Sequence, residues 1–301
     1  MPTKNPSSGK KNDLKATVIV ILFVLAGIQA FLFFHKNKQP APAAVKTPAE
    51  EVVTPVERPP KHVPVAVLPA VKKYPSGKAA KIAFVLDDWG YTMRNCKYLQ
   101  EIKAPLAVAV LPNLRFTDKI AQCASDAGKI VMLHLPLEPY HNNDRYPDNY
   151  LITTTMKPAQ VVKLLEDTLH KMPLVQGVNN HMGSRATEDK ALMQLIFKHL
   201  KRHGLFFVDS MTSPHHSVCG DLASAMNLPF TQRDVFLDNI NTKSEIQKQI
   251  LALVQKARKK GYAVAIGHDR ELTLRVLKEE IPLLQEQGFE IVGVKSLLKK
   301  Q

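Results

Sequence analysis

From Lys81 to the C-terminus, short apolar runs alternate with amphipathic segments of helical period. That texture belongs to βα units feeding a mainly parallel sheet. The apolar runs predict strands at Ile82–Leu86, Leu106–Leu111, Ile130–Leu135, Leu174–Val178 and Leu205–Val208, with further ones near Phe230–Thr231, Ala263–Ile266 and Ile291–Val294. Helical patterns fill the gaps. Thr187 precedes EDKALMQLIFKHLKRH, which stops at Gly204, and Thr242 with Glu245 forms a capping box for IQKQILALVQKARKK, which stops at Gly261. About eight such strands predict an α/β fold, a (β/α) barrel of seven to eight parallel strands, with an open doubly wound sheet as the alternative.

Upstream the pattern is different. Ala16 to Phe34 is an apolar run of nineteen residues with no charge and one amide, Gln29. As a helix it spans about 28 Å, close to a bilayer core, and it lacks the polar face of a buried core helix. Lys4, Lys10, Lys11 and Lys15 precede it, and Lys36 and Lys38 follow. The positive-inside bias therefore predicts a cytoplasmic tail at 1–15, a single transmembrane anchor at 16–34, and everything beyond it outside the cytoplasm. Secretion after signal-peptide cleavage is the alternative. Residues 35–80 read as a Pro-rich linker, with nine prolines between 39 and 79. Residues 81–301 read as the folded domain.

Charge changes one conclusion. The formal net charge of +14 invites a nucleic-acid partner, but residues 1–80 hold 12 basic and 4 acidic residues, against 29 and 23 in the rest. The domain is thus only mildly basic, lacks interleaved basic and aromatic patches, and no nucleic acid is expected. The partner expected instead is the inner membrane, through the 16–34 span. Three cysteines cannot form a disulfide scaffold. Cys96 and Cys123 fall in helical patterns and Cys219 in a loop-like stretch, so packing cysteines are the default. No dinucleotide fingerprint, phosphate loop, Gly-x-Ser-x-Gly or Cys-x-x-Cys is present.

The chemistry collects at strand ends. Asp87-Asp88-Trp89-Gly90 follows the first strand, His134 ends the third with Glu138 four residues on, and the fourth runs into Asn179-Asn180-His181-Met182-Gly183-Ser184-Arg185. Asp209-Ser210 ends the fifth, and Gly267-His268 closes a later one. In parallel α/β folds these ends share the face that carries the active site. Asp and neutral His are the ligands of a divalent metal of the zinc type, and an open position makes such a site catalytic. A second aspartate is then free to act as base. Trp89, the only tryptophan, either stacks on a sugar ring or packs.

The segments FVLDDWG, HLPLEP, GVNNHMGSRAT, FVDSMT, RDVFLDN and AIGHDR resemble, in order and spacing, the divergent polysaccharide deacetylases, a branch of the NodB-like polysaccharide deacetylase superfamily. The resemblance covers about Lys81 to Lys299. It implies a distorted (β/α) barrel, a divalent metal, most often zinc, and hydrolysis of acetyl groups on an envelope polysaccharide such as peptidoglycan. Carried over, Asp87 is the base, Asp88 and His134 are metal ligands, and His268 is the acid. The superfamily's His-x-x-x-His motif is broken, because Glu138 stands in the second position. The missing ligand's role falls to His181, and Arg185 is expected to orient Asp209. Trp89, Glu138, Asn180 and Ser184 complete the substrate-binding set. A non-catalytic glycan-binding or scaffold protein that retains the barrel is the alternative function.

Overall fold

A computed structural model of the chain describes residues 80–141 and 150–299. The expected cytoplasmic tail, the 16–34 anchor and all of the Pro-rich linker except Ala80 lie outside those residues. Among the described residues no helix is long and apolar enough to cross a membrane.

The domain alternates strands and helices: β1 (Lys81–Trp89), α1 (Cys96–Glu101), β2 (Ala107–Val110), α2 (Thr117–Asp126), β3 (Ile130–Leu137), α3 (Pro158–Lys171), β4 (Gly177–Met182), α4 (Lys190–Arg202) and β5 (Phe206–Asp209). Then come α5 (Cys219–Met226), β6 (Phe230–Gln232), β7 (Val235–Phe236), α6 (Lys243–Lys260), β8 (Tyr262–His268), α7 (Glu271–Glu286) and β9 (Glu290–Ile291). The strands are ordered β6-β5-β4-β3-β2-β1-β8-β7, with β9 on the lower end of β1, and every named pair is parallel.

Closure follows from chain length. β6 and β7 end opposite edges of that order, yet only Arg233 and Asp234 join them. Three Cα–Cα steps reach at most about 11 Å, so the sheet must curl until its outer strands nearly meet. The joining residues are tied to both edges: Arg233 N–H donates to Asp209 O at 2.9 Å, and Asp234 N–H to Val264 O at 2.8 Å. The result is a curled parallel sheet that fits a distorted (β/α) barrel, not an open doubly wound sheet.

Side chains alternate across each strand, and two apolar clusters result. Ala83, Val85, Ala107, Ala109, Met132, Phe206, Val208, Val264 and Ile266 fill the barrel, closed below by Val292, Val294 and Leu297. The intervening residues, among them Phe84, Leu86, Leu133, Val178 and Phe207, pack under the helices. The interior is narrow enough that a Cβ on Gly177 would lie 2.3 Å from the Phe206 ring.

Several expected boundaries move. β4 begins at Gly177 rather than Leu174 and continues to Met182, and β3 runs to Leu137, because the ladder persists through the polar residues. Residues 294–297 form a 3-10 turn beneath the barrel rather than a full strand. Thr187 does not cap α4, since its hydroxyl donates to Gly183 O at 2.8 Å; Asp189 accepts from Leu192 N–H instead. Thr242 and Gly261 bound α6 as expected, Thr242 Oγ1 accepting from Glu245 N–H and Gly261 ending the helix at φ 86°. Cys96 and Cys123 are joined in a disulfide rather than merely packed, their Cα atoms 6.5 Å apart across α1 and α2. Cys219 opens α5 and is buried.

Candidate metal centre and hydrolytic site

Counting by two along each strand locates the site. Asp87 continues the interior column of Ala83 and Val85; His134 follows Met132; Asn179 and His181 follow Gly177; His268 follows Val264 and Ile266. Ser210 follows Val208, and Asp238 follows Phe236. The apolar interior is thus capped by a polar layer whose groups satisfy one another. Asp88 leaves its strand's alternation by adopting φ 64°; Met182 and Met211 turn the same way at φ 54° and 55°, just beyond His181 and Ser210. Left-handed backbone at non-glycine residues costs energy and concentrates at functional sites.

At the centre, Asp88 Oδ1 lies 3.1 Å from His134 Nε2 and 3.1 Å from His181 Nδ1, and those two nitrogens are 3.1 Å apart. Three ligands about 2.1 Å from a tetrahedral ion would be roughly 3.4 Å apart, so this triangle is nearly the face such an ion requires. The ring orientation also fits. Asn179 Oδ1 accepts from His134 Nδ1 at 2.9 Å, which keeps a proton there and makes Nε2, turned toward Asp88 and His181, the atom that can ligate when the ring is neutral. Asp88, His134 and His181 therefore form a group able to hold a metal ion.

Electrostatics agree with a cation site. Burial works against the charge on Asp88, yet the hydrogen bonds from His134 and His181 and the charges of His134 and His268 hold it far below the usual carboxylate range. Burial likewise works against a charged His134, but Asp87 and Asp88 outweigh it and raise the ring to about 9. Asp87 is buried, and desolvation pushes its carboxyl up against the pull of His134 and His268. Asn179 Nδ2 donates to Asp87 Oδ1 at 2.8 Å, while Oδ2 faces His134 Nε2 at 3.8 Å. One amide thus orients both His134 and the adjacent Asp87 carboxylate.

His268 stands on the other side of the cluster, its Nε2 3.8 Å from Asp88 Oδ2. Its Nδ1 lies 2.8 Å from Asp238 Oδ1. Asp238 is fixed in turn by His268 N–H at 3.0 Å and Thr273 Oγ1 at 2.7 Å. Burial lowers the pKa of His268, but the Asp238 hydrogen bond and charge more than reverse that. The Phe236 and His268 rings pack edge to face with centroids 5.0 Å apart, and the Arg233 guanidinium lies 5.0 Å from the centroid of the Phe236 ring.

The remaining expected residues fall elsewhere. Asp209 lies on the helix-facing side of β5, where it accepts from Ser217 Oγ at 2.6 Å and Met211 N–H at 2.7 Å. Arg185 does not orient it: its guanidinium pairs with Glu138 Oε1 at 3.2 Å. The guanidinium that feels both Asp209 and Asp87 belongs to Arg233, which donates to Ser210 O and Met211 O. Trp89 is fully buried and offers no face to a sugar. Glu138 is held by Thr154. Asn180 faces away from the cluster and braces Ser210 N–H and Met182 O. Ser184 Oγ accepts from Tyr140 N–H. Asn179, Asp238 and Arg233 are the residues missed by sequence reasoning. Strand alternation flags Asn179, two residues before His181, and the RDVFLDN segment carries the other two.

Residues 84–298 match the family model described as divergent polysaccharide deacetylase. The chain belongs to that family. This divergent deacetylase-family chain is 30% identical over 222 residues to the uncharacterized protein YibQ of Escherichia coli K12, covering 74% of this chain and 68% of that one. It is 32% identical over 222 residues to an uncharacterized protein of Haemophilus influenzae Rd, covering 74% and 78%. Its fold is similar to the crystal structure of an uncharacterized protein from Agrobacterium tumefaciens C58, at a TM-score of 0.68 and 21% identity over 74% of this chain and 91% of the other.

Proposed function

We propose that the protein is a membrane-anchored, metal-dependent hydrolase that removes N- or O-acetyl groups from an envelope polysaccharide such as peptidoglycan. The observation that carries this reading is the 3.1 Å triangle of Asp88 Oδ1, His134 Nε2 and His181 Nδ1, flanked by a buried carboxylate and a carboxylate-paired histidine. Asp88, His134 and His181 would hold the cation, with zinc the ion their donor types suit best. A divalent cation there supplies Lewis-acid polarisation of an acyl oxygen and of water.

Asp87 is the base, taking a proton from water at Oδ2 because Asn179 occupies Oδ1. His268 is the acid. With Nδ1 committed to Asp238, its Nε2 holds the proton that the departing amine or alkoxide needs. Asp238 keeps that ring charged and correctly turned, as a carboxylate behind a catalytic histidine does. The Cys96–Cys123 disulfide supports a location outside the cytoplasm, since structural disulfides persist in oxidising compartments.

The test is metal analysis of the purified full-length chain combined with acetate release from peptidoglycan and chitin oligomers. One equivalent of metal, chelator-sensitive acetate release, and loss of both in Asp88→Asn are expected. A chain that holds no metal, and whose acetate release is indifferent to Asp88→Asn, overturns the reading. Glycan binding without acetate release would instead support the scaffold alternative.

A further inference from the structure

We propose that Tyr140 is a fixed aromatic platform on which a sugar ring of the bound glycan stacks, beside the Asp88–His134–His181 cluster; this rests on the glycan reading above. Among the described residues, Tyr91, Tyr140 and Ile240 are large hydrophobic side chains left 57%, 56% and 59% exposed. They stand in the loops that leave the C-terminal ends of β1, β3 and β7. Those strands lie along one arc of the sheet, β3-β2-β1-β8-β7, and the same arc carries His134, Asp88 and His268. A single exposed apolar residue needs no explanation. Three on the rim over one polar cluster form the apolar border of a binding face.

Tyr140 differs from an ordinary rim residue because it is held at both ends. Its backbone N–H donates to Ser184 Oγ at 3.0 Å, and its phenolic O–H donates to Glu188. Glu188 is itself fixed from the loop after β5 by Ser213 Oγ. Three loops are therefore used to immobilise one solvent-facing ring. Immobilising a side chain costs rotamer entropy, and with 56% of Tyr140 exposed burial offsets only part of it. A ligand that later covers the face would find that cost already met, which raises its affinity. A flat, wet aromatic face with its polar edge tied down matches the apolar C–H face of a pyranose ring. Arg185 and Glu138, paired at 3.2 Å on the same loops, offer hydroxyl partners beside it. The tryptophan that sequence alone offered for this task, Trp89, is buried in the core. Ser184 thus serves the glycan through Tyr140, as a positioning residue.

The test measures binding of the full-length chain to purified peptidoglycan glycan strands and to free N-acetylglucosamine. Wild type is compared with Tyr140→Ala, Tyr140→Leu and Tyr140→Phe, with metal content and unfolding temperature checked for each. Removing the flat face, in the Ala and Leu variants, should weaken strand binding on the order of tenfold and leave monosaccharide binding within about twofold. Tyr140→Phe keeps the ring and should stay within about threefold of wild type. Strand binding unchanged in both Ala and Leu variants would overturn the platform while the deacetylase reading stands. Phe as weak as Ala would overturn it too, because the hydrogen bond and not the face would then matter. A wild-type chain that neither binds the strands nor releases acetate from them removes the glycan reading itself, and the platform with it.

Discussion

Asn179→Ala separates the positioning of the cluster from its chemistry. The side chain is fully buried and makes two bonds that matter: 2.9 Å to His134 Nδ1 and 2.8 Å to Asp87 Oδ1. Truncation leaves an imidazole N–H and a buried carboxylate oxygen each short of a partner. At about 1 kcal/mol per net bond, rising where a charged group loses its donor, the loss is roughly 2–3 kcal/mol of stability. For a domain of this size that lowers the unfolding temperature by about 4–12 °C. The larger effect is expected on the affinity for the proposed metal ion. A ligating histidine freed from its outer partner can turn and change tautomer, and such losses typically cost 10- to 100-fold in metal affinity, or about 1.4–2.7 kcal/mol. Competitive chelator titration of wild type, Asn179→Ala and Asn180→Ala, with thermal unfolding in parallel, reads both quantities. Asn180 is its neighbour in sequence but faces the other way, so Asn180→Ala should lose stability and keep metal affinity within a few-fold. If folded Asn179→Ala binds metal as tightly as wild type, the assignment of the tautomer to Asn179 is wrong.

Asp209→Asn should change acetate release by less than about threefold, because Asp209 bonds Ser217 and Met211 on the helix side of β5; Asp87→Asn should lose at least about 100-fold in the same assay. Replacing Cys96 and Cys123 by Ser opens a loop of 27 residues and should cost about 3.5 kcal/mol in thermal unfolding. Thiol titration in denaturant should find one reactive group before reduction and three after, and three at the outset would contradict the pairing. Glu166 accepts from His199 Nδ1 and His203 Nε2 at 2.7 Å each, and the His199 bond, the larger of the two effects, holds its carboxyl below the ordinary value despite burial. A depressed carboxyl contributes stability above its unfolded value, near pH 4, and loses it as pH falls through the folded one. Glu166→Gln should therefore be less stable than wild type at pH 7, the gap closing below about pH 4; a gap independent of pH would refute the linkage.

Much of the fold was legible because its βα texture is strong and local. Apolar runs of four to six residues announced β1, β2, β3, β5 and β8, and strand ends announced Asp87, Asp88, His134, His181 and His268, which the structure brings into one cluster. What escaped has physical causes. A strand end located only as a point hides the side its residue faces, which depends on whether the position is odd or even. That rule separates Asn179 from Asn180 and sends Asp209 under the helices. Asp238 and Arg233 flank β7, a strand of two residues, too short to show any period. The Cys96–Cys123 pair depends on how α1 and α2 pack, which spacing along the chain does not encode. Trp89 was ambiguous for a different reason: an aromatic at a strand end suits a sugar or a core equally, and only burial decides.

The two-residue join at Arg233 and Asp234 also orders the making of the site. Every ligand of the triangle is present once β4 is complete, but the acid and its carboxylate partner arrive with β7 and β8. Seven residues of β1 pair with β8, so the strand carrying Asp87 and Asp88 keeps a bare edge until β8, at Tyr262–His268, has joined it. A chain cut before Arg233 would retain Asp88, His134 and His181 but leave β1, the strand carrying Asp88, with one unpaired hydrophobic edge, a form suited to self-association. Closure of the barrel is therefore what brings His268 and Asp238 to the Asp88–His134–His181 cluster, so the complete constellation exists only once β7 and β8 have joined the sheet.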